Sequence, residues 1–331
     1  MFSDKIYEKK WNRDLPWIEK YRPMTINDII YQETVIETLK KSITNNNLSH
    51  LLFYGPPGTG KTSAILAAAK EIYPNENYKK YVLELNASDE RGINIIRSKV
   101  QAFSQKTINN KINFKLIILD EADSMTIEAQ SILRHIIEKY SSITRFCIIC
   151  NYIDKIIEPL ISRCNKFRFY PLNKQSIISI LKNIANKENI NIKTNILTYI
   201  NSISNGDLRR AITILQSVSQ IYNKNITKKA ISYIIGIIND DDLNNYIKII
   251  KNNNHLEIDT FCQNLYYNSY SNYKILNQIF DKIIYDNEID DKKKSIIIKI
   301  ITNSYYKLLK KSEFNIELLN MSYKISYELN K

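Results

Sequence analysis

The sequence predicts an α/β fold: a parallel sheet flanked by helices, followed by two regions built from helices alone. Three observations predict it. A glycine loop, Gly55-Pro56-Pro57-Gly58-Thr59-Gly60-Lys61-Thr62-Ser63, lies between the apolar run Leu51–Tyr54 and a helical run ending near Ile72. A second apolar run, Leu116–Leu119, ends in the acids Asp120 and Glu121. All seven prolines lie at or before Pro171 and only Gly206 and Gly236 follow Gly92, so the rest of the chain lacks the residues that punctuate turns.

The chain has 331 residues, enough for two or three domains with real cores. No run of eighteen apolar residues occurs, so no membrane-spanning segment is expected. The N-terminal MFSDKIYEKKWNRD lacks an apolar signal core, and the four cysteines form no framework; both point to a reducing compartment. The net charge of +13 is unevenly spread. Residues 1–171 hold 25 basic against 19 acidic residues, 172–237 hold 9 against 2, and 238–331 hold 13 against 13. A polyanion is therefore expected at the first two thirds, and protein contacts at the last. A solvated surface would have the same charge.

Taken in order, the segment Pro16-Trp17-Ile18-Glu19-Lys20-Tyr21-Arg22-Pro23 is bracketed by prolines and is expected to be extended. It could lie against an adenine base. Residues 32–45 form a helix with Val35, Leu39 and Ile43 at four-residue spacing. Then comes Gly-x-x-x-x-Gly-Lys-Thr in the strand–loop–helix context that a phosphate cradle needs. The glycines let backbone amides curl around phosphate oxygens, and the helix N-terminus adds partial positive charge. Gly55, Pro56, Pro57, Gly58, Thr59, Gly60, Lys61, Thr62 and Ser63 are the cradle. Lys61 reaches the outer phosphates and the Thr62 hydroxyl holds Mg²⁺.

Tyr81–Leu85 reads as a buried strand running into the polar turn Asn86–Gly92, and 93–105 as a helix with Ile93, Ile96, Val100 and Phe103 on one face. Arg91, Arg97 and Lys99 beside that face are candidate contacts to nucleic-acid phosphates or an ordinary solvated face. The strand that ends at Asp120 delivers its acids to the carboxyl edge, where ligands sit in such sheets. Asp120 is placed to reach Mg²⁺ and Glu121 to polarise the attacking water. Residues 126–140 are a helix. Arg145–Cys150 is a strand that brings Asn151 to the same edge, where it could hold the water or the terminal phosphate; a turn-initiating asparagine is the alternative.

Cys147-x-x-Cys150 resembles half a metal site. Positions three apart on a strand face opposite sides, so core thiols are expected and zinc is not. Residues 156–164 form a short helix carrying Arg163, either a surface cation or a finger toward a neighbouring subunit's nucleotide. Pro171 and Gly236 mark boundaries, giving domains 1–171, 172–237 and 238–331. In the middle one, Asp207 is a helix N-cap and Arg209 is placed to fold back toward the phosphates. The last is a run of amphipathic helices.

The stretches PWIEKYRP, FYGPPGTGKTS, ELNASDERGINIIR, IILDEADSMT, TRFCIICNY, IIEPLISRC and GDLRRAI together resemble the small subunits of the replication factor C clamp loader, within the AAA+ ATPases. They span residues 16 to about 217. The resemblance implies a RecA-like ATPase domain, a small helical lid and an all-helical collar. It implies ATP and Mg²⁺ as ligands. It makes Ile18 and Arg22 base and phosphate contacts, Asn151 and Arg209 readers of the γ-phosphate, and Arg163 a finger completing a neighbour's site in trans. It also implies a nuclear heteropentamer that opens the sliding clamp (PCNA) and loads it onto primer–template DNA in replication and repair. Its small subunits are shared with alternative loaders that differ in their large subunit. Two alternatives stand beside it: a scaffold subunit that binds ATP without turnover, and another AAA+ DNA motor. One departure is His135, where the family usually carries a basic residue. That contact is either absent here or pH-dependent.

Overall fold

The computed structural model describes residues 15–331 apart from 30–31, 46, 74–77, 89–92, 107–113, 223–225 and 269, and apart from the side chains of 79 and 93–97. Its residues cluster into two compact units, 1–216 and 217–331.

In the first unit the elements are α1 (Trp17–Lys20), α2 (Glu33–Thr44), β1 (Leu51–Tyr54), α3 (Lys61–Ile72), α4 (Tyr78–Tyr81), β2 (Val82–Asn86), α5 (Ile93–Gln105), β3 (Lys115–Asp120), α6 (Ile127–Tyr140), β4 (Thr144–Cys150), α7 (Glu158–Ile161), β5 (Asn165–Arg168), α8 (Lys174–Lys187) and α9 (Thr194–Ser204). Helix α10 (Leu208–Tyr222) crosses the division at residue 216. The expected lid, 172–237, is thus shared between the two units.

All strand pairs are parallel, in the order β2-β3-β4-β1-β5. The apolar runs form the middle of the sheet because both of its faces are covered. Leu51, Phe53, Leu116, Ile118, Cys147 and Ile149 face α2 and α3 in one cluster. Leu52, Ile117, Leu119, Phe146, Ile148 and Cys150 face α5 and α6 in the other. The period-2 alternation of a strand therefore separates Cys147 from Cys150, and they share no metal-binding face. Burial pushes the thiols of Cys150 and Cys164 up to about 12.

Three expectations need correction. Pro16–Pro23 is not extended throughout: Trp17–Lys20 is a helical turn. Proline disfavours the α region only in the residue before it, here Leu15 and Arg22, and leaves the four residues between free to wind. The strand expected from Tyr81 begins at Val82, because Tyr81 closes the turn α4. β5 was not expected at all. Its sequence, Asn-Lys-Phe-Arg, is polar because it is an edge strand, with one side unpaired and exposed.

Two polar groups fix the base of the sheet. Lys115 is 1% exposed, and its ammonium donates to the carbonyls of Phe103 (2.7 Å), Ser104 (3.3 Å) and Lys106, capping the C-terminus of α5. Nδ1 of His50 accepts from the Phe146 N–H at 3.2 Å. Burial, with Arg145 nearby, lowers its pKa to about 4. Since an unfolded histidine titrates near ~6.5, the unfolded chain binds the extra proton first. This contribution to stability is present above about pH 6.5 and fades toward pH 4. A His50→Gln variant keeps the acceptor but not the titration. Urea melts across that window should lose part of their acid slope.

The second unit continues with α11 (Lys228–Ile235), α12 (Asp240–Lys251), α13 (His255–Tyr267), α14 (Asn272–Ile284), α15 (Asp291–Leu309) and α16 (Phe314–Asn330). Helices α12 to α16 share one apolar cluster around Tyr246, Ile279, Ile297 and Met321. The buried Tyr246 hydroxyl is satisfied by Ser322 Oγ at 2.6 Å. Among the described residues no helix is long and apolar enough to cross a membrane.

Candidate active site

The glycine loop joins β1 to α3 through left-handed backbone. Gly55, Gly58 and Gly60 have φ of 142°, 72° and 90°. Two of them are also close approaches. A Cβ on Gly55 would stand 2.3 Å from the Phe169 carbonyl oxygen, and one on Gly58 would stand 2.0 Å from Asp207 Oδ1. Asp207 in turn accepts from the Arg210 N–H at 3.2 Å, capping α10, so the loop touches the helix start that carries Arg209. Gly58→Ala should displace that cap and weaken ATP binding by about tenfold, ~1.4 kcal/mol, in a nucleotide titration.

Lys61 begins α3 and is 7% exposed. Its ammonium donates to Gly55 O (2.7 Å), Pro56 O (2.8 Å) and Asn151 Oδ1 (2.9 Å), which uses all three of its protons. Burial lowers its pKa, and Asp120 opposes that shift. Thr59 holds the loop by donating to Pro56 O at 2.9 Å. Thr62 Oγ1 donates to Asp120 Oδ2 at 2.7 Å. Hydroxyl and carboxylate oxygens side by side form a hard donor set, and it fits Mg²⁺.

The edge geometry follows from register. Asn86 pairs with Asp120 and Tyr54 with Cys150, so Asp120, Asn151 and Gly55 emerge at one end of the sheet. Glu121, the next residue, has φ 54° and ψ 38°, a left-handed conformation uncommon for a non-glycine residue. Its N–H donates to Asp120 Oδ1 at 2.8 Å, and it is exposed at the edge. Nothing in the sequence marks this strain. Exposed Arg209 lies near enough to depress the Lys61 pKa.

Arg163 does not bond any residue of its own chain's loop. Its guanidinium donates to Pro159 O at 2.6 Å and pairs with Glu138 on α6. Glu138 also accepts from Arg134 at 3.1 Å, and its carboxyl pKa is lowered chiefly by that bond. His135 Nδ1 stands 3.7 Å from Glu138 Oε2, with its side chain 72% exposed. The segment ahead of Arg163 is tied to α6 by buried Gln130, which donates to Lys155 O (2.9 Å) and accepts from the Ile157 N–H (2.8 Å). Gln130 and Glu138 were not predicted as site residues. The only signal for Gln130 was a polar residue on the apolar stripe of its helix.

Ile18 is half-buried on α1, and Arg22 pairs with Glu19 at 2.8 Å rather than with the loop. Of the candidate nucleic-acid contacts, Arg91 and the side chain of Arg97 lie outside the described residues. Lys99 is exposed on α5.

Against known families, residues 51–172 match the ATPase family associated with various cellular activities (AAA). Residues 179–220 match the RCF1/5-like AAA+ ATPase lid domain, and 238–324 the replication factor C C-terminal domain. The chain is 41% identical to replication factor C subunit 4 of Homo sapiens, over 98% of this chain and 91% of that protein. This chain belongs to the replication factor C family. The Saccharomyces cerevisiae replication factor C subunit 2 is also 41% identical, over 94% of this chain and 92% of its own. These matches over nearly the whole chain agree with the resemblance of EKYRP, ELNASDERG and RFCIICNY to small subunits of the family. The C-terminal third, which carries none of the stretches that resemble the family, is covered by a replication factor C domain of its own. Among solved structures, Thermotoga maritima RuvB, a Holliday junction branch migration motor, has a TM-score of 0.53 at 18% identity, covering 70% of this chain and 80% of that one. That likeness shows the fold alone. The replication factor C chain described here therefore combines an AAA+ ATPase domain, a lid and a family-specific helical region.

Proposed function

We propose that the chain is an ATP-hydrolysing subunit of a nuclear clamp loader. With other replication factor C subunits in a heteropentamer, it uses ATP to open the sliding clamp and close it on primer–template DNA in replication and repair. The observation that carries this reading is the convergence at the sheet edge: Thr62 on Asp120, and Lys61 on Asn151, from three different elements. These contacts preorganise the cradle before nucleotide arrives.

In this reading Lys61 exchanges its carbonyl partners for phosphate oxygens, and the amides of Gly55 to Ser63 close around them. Thr62 and Asp120 hold Mg²⁺, which when bound supplies charge neutralisation at the phosphate oxygens. Glu121 orients the attacking water and takes its proton. Asn151 and Arg209 meet the γ-phosphate. Arg163, whose guanidinium bonds Pro159 and Glu138 instead of its own glycine loop, stabilises charge at a neighbour's site. Ile18 and Arg22 serve as base and phosphate contacts. The basic first two thirds suit a duplex backbone, with Lys99, Arg97 and Arg91 as candidate contacts.

The test is clamp loading by the co-expressed assembly. Labelled clamp should transfer to primed circular DNA only with ATP, and a Lys61→Ala subunit should slow that transfer. Transfer that needs no ATP, or an assembly that never engages the clamp, would overturn the proposal.

A further inference from the structure

Glu188 sits in an unfavourable place. It is the C-terminal cap of α8, where free carbonyls already concentrate negative charge, and its side chain is 19% exposed. A carboxylate there needs specific partners. Two donors meet on one of its oxygens: Lys20 Nζ and the Tyr21 hydroxyl each lie 2.5 Å from Oε1. The Lys187 ammonium stands over the Tyr21 ring, 5.6 Å from its centroid. Burial would raise the Glu188 carboxyl pKa, but the bonds from Lys20 and Tyr21 outweigh it and lower the pKa.

The partners belong to the arm that carries Ile18 and Arg22. Just beyond it the chain is anchored at Ile26, which is 0% exposed and whose N–H donates to Glu71 Oε1 at 2.8 Å. α1 is one turn of four residues, and none of them is buried. A single helical turn is not stable by itself. Among the described residues α1 is also tied by the Trp17 N–H, which donates to Gln216 Oε1 on α10 at 3.0 Å. The arm is thus fastened by polar bonds to α8 and to α10, and α10 also carries Arg209.

We propose that Glu188 is a positioning residue for nucleotide. Through Lys20 and Tyr21 it locks the base-side arm to α8, so that Ile18 and Arg22 are in place when the phosphates enter the loop. This rests on the nucleotide reading of the loop and arm given above. The latch then sets affinity for the base through Ile18 and for the phosphates only through Arg22, while the glycine loop sets the rest of the phosphate affinity. Glu188→Gln removes the charge while keeping its oxygen, and Tyr21→Phe removes one donor while keeping the ring.

The experiment is a competition on the full chain between a fluorescent ATP analogue and either ATP or inorganic tripolyphosphate. Wild type, Glu188→Gln, Tyr21→Phe and Lys61→Ala are compared, with melting temperatures recorded for each. Both latch variants should weaken ATP by about five- to tenfold, the scale of one charge-assisted hydrogen bond. Tripolyphosphate, which has no base and meets the arm only at Arg22, should weaken by a smaller factor than ATP in the same variants. Lys61→Ala should weaken both competitors. Equal weakening of ATP and tripolyphosphate by both latch variants would mean a merely structural role and would overturn the proposal. So would unchanged ATP affinity in both latch variants while Lys61→Ala loses binding. A wild-type chain that binds no ATP, or a Lys61→Ala chain that binds it normally, would instead overturn the nucleotide reading beneath it.

Discussion

Glu121→Gln should leave Mg·ATP affinity within about twofold of wild type and lower turnover at this chain's own site by about 10²–10⁴. The reasons are local. Glu121 is exposed at the sheet edge, so the amide replaces a carboxylate without leaving a buried charge behind. Among the described residues its hydrogen bonds come from its backbone: the N–H to Asp120 Oδ1, and the carbonyl accepting from the Ser124 hydroxyl at 2.8 Å and the Ser124 N–H at 2.9 Å. The left-handed backbone at 121 therefore persists in the variant, and with it the aim of the side chain. What is lost is the base. Single-turnover chemistry on bound ATP reads this directly. Normal turnover would remove Glu121 from the mechanism and favour the scaffold subunit only if the wild type were equally slow.

Arg163→Ala is the second large effect, and it should appear at a different site. Fingers of this kind are worth about 10³–10⁵ in rate where they have been measured in GTPases. The variant should keep its own ATP affinity, because among the described residues the Arg163 guanidinium bonds Pro159 and Glu138 and no residue of the glycine loop. Turnover should fall at the adjoining subunit instead. An assembly in which only that neighbour retains its catalytic glutamate isolates the effect. To act in trans Arg163 must exchange Glu138 for phosphate, so the ion pair is a resting position. A loss confined to this chain's own site would mean that the arginine works in cis.

The middle of the sheet and the phosphate cradle were legible because they obey short-range rules. A buried parallel strand is a continuous apolar run, and a phosphate loop needs glycine at backbone positions that only glycine adopts easily. Both signals sit within a dozen residues. β5 was not legible, since an edge strand has no apolar face requirement and Asn-Lys-Phe-Arg resembles a loop. The turn Trp17–Lys20 was misread because the two prolines restrict only the residues before them. Gln130, Glu138 and Glu188 gain their roles from partners 25 or more residues away: Lys155 for Gln130, Arg163 for Glu138, and Lys20 and Tyr21 for Glu188. No periodicity reports such pairings. Asp207 was recognised as a cap, but its approach to Gly58 depends on how two distant segments pack.

The central claim is that this edge site is an ATPase coupled to DNA and clamp. Its most direct test is the ATP hydrolysis rate of the co-expressed assembly, measured alone, with primed DNA, with clamp, and with both. The account predicts stimulation by each ligand, greatest with both together, and loss of that stimulation when Arg163 is replaced by alanine while this chain still binds ATP. A rate indifferent to DNA and clamp would contradict it, however complete the glycine loop and its acidic partners are.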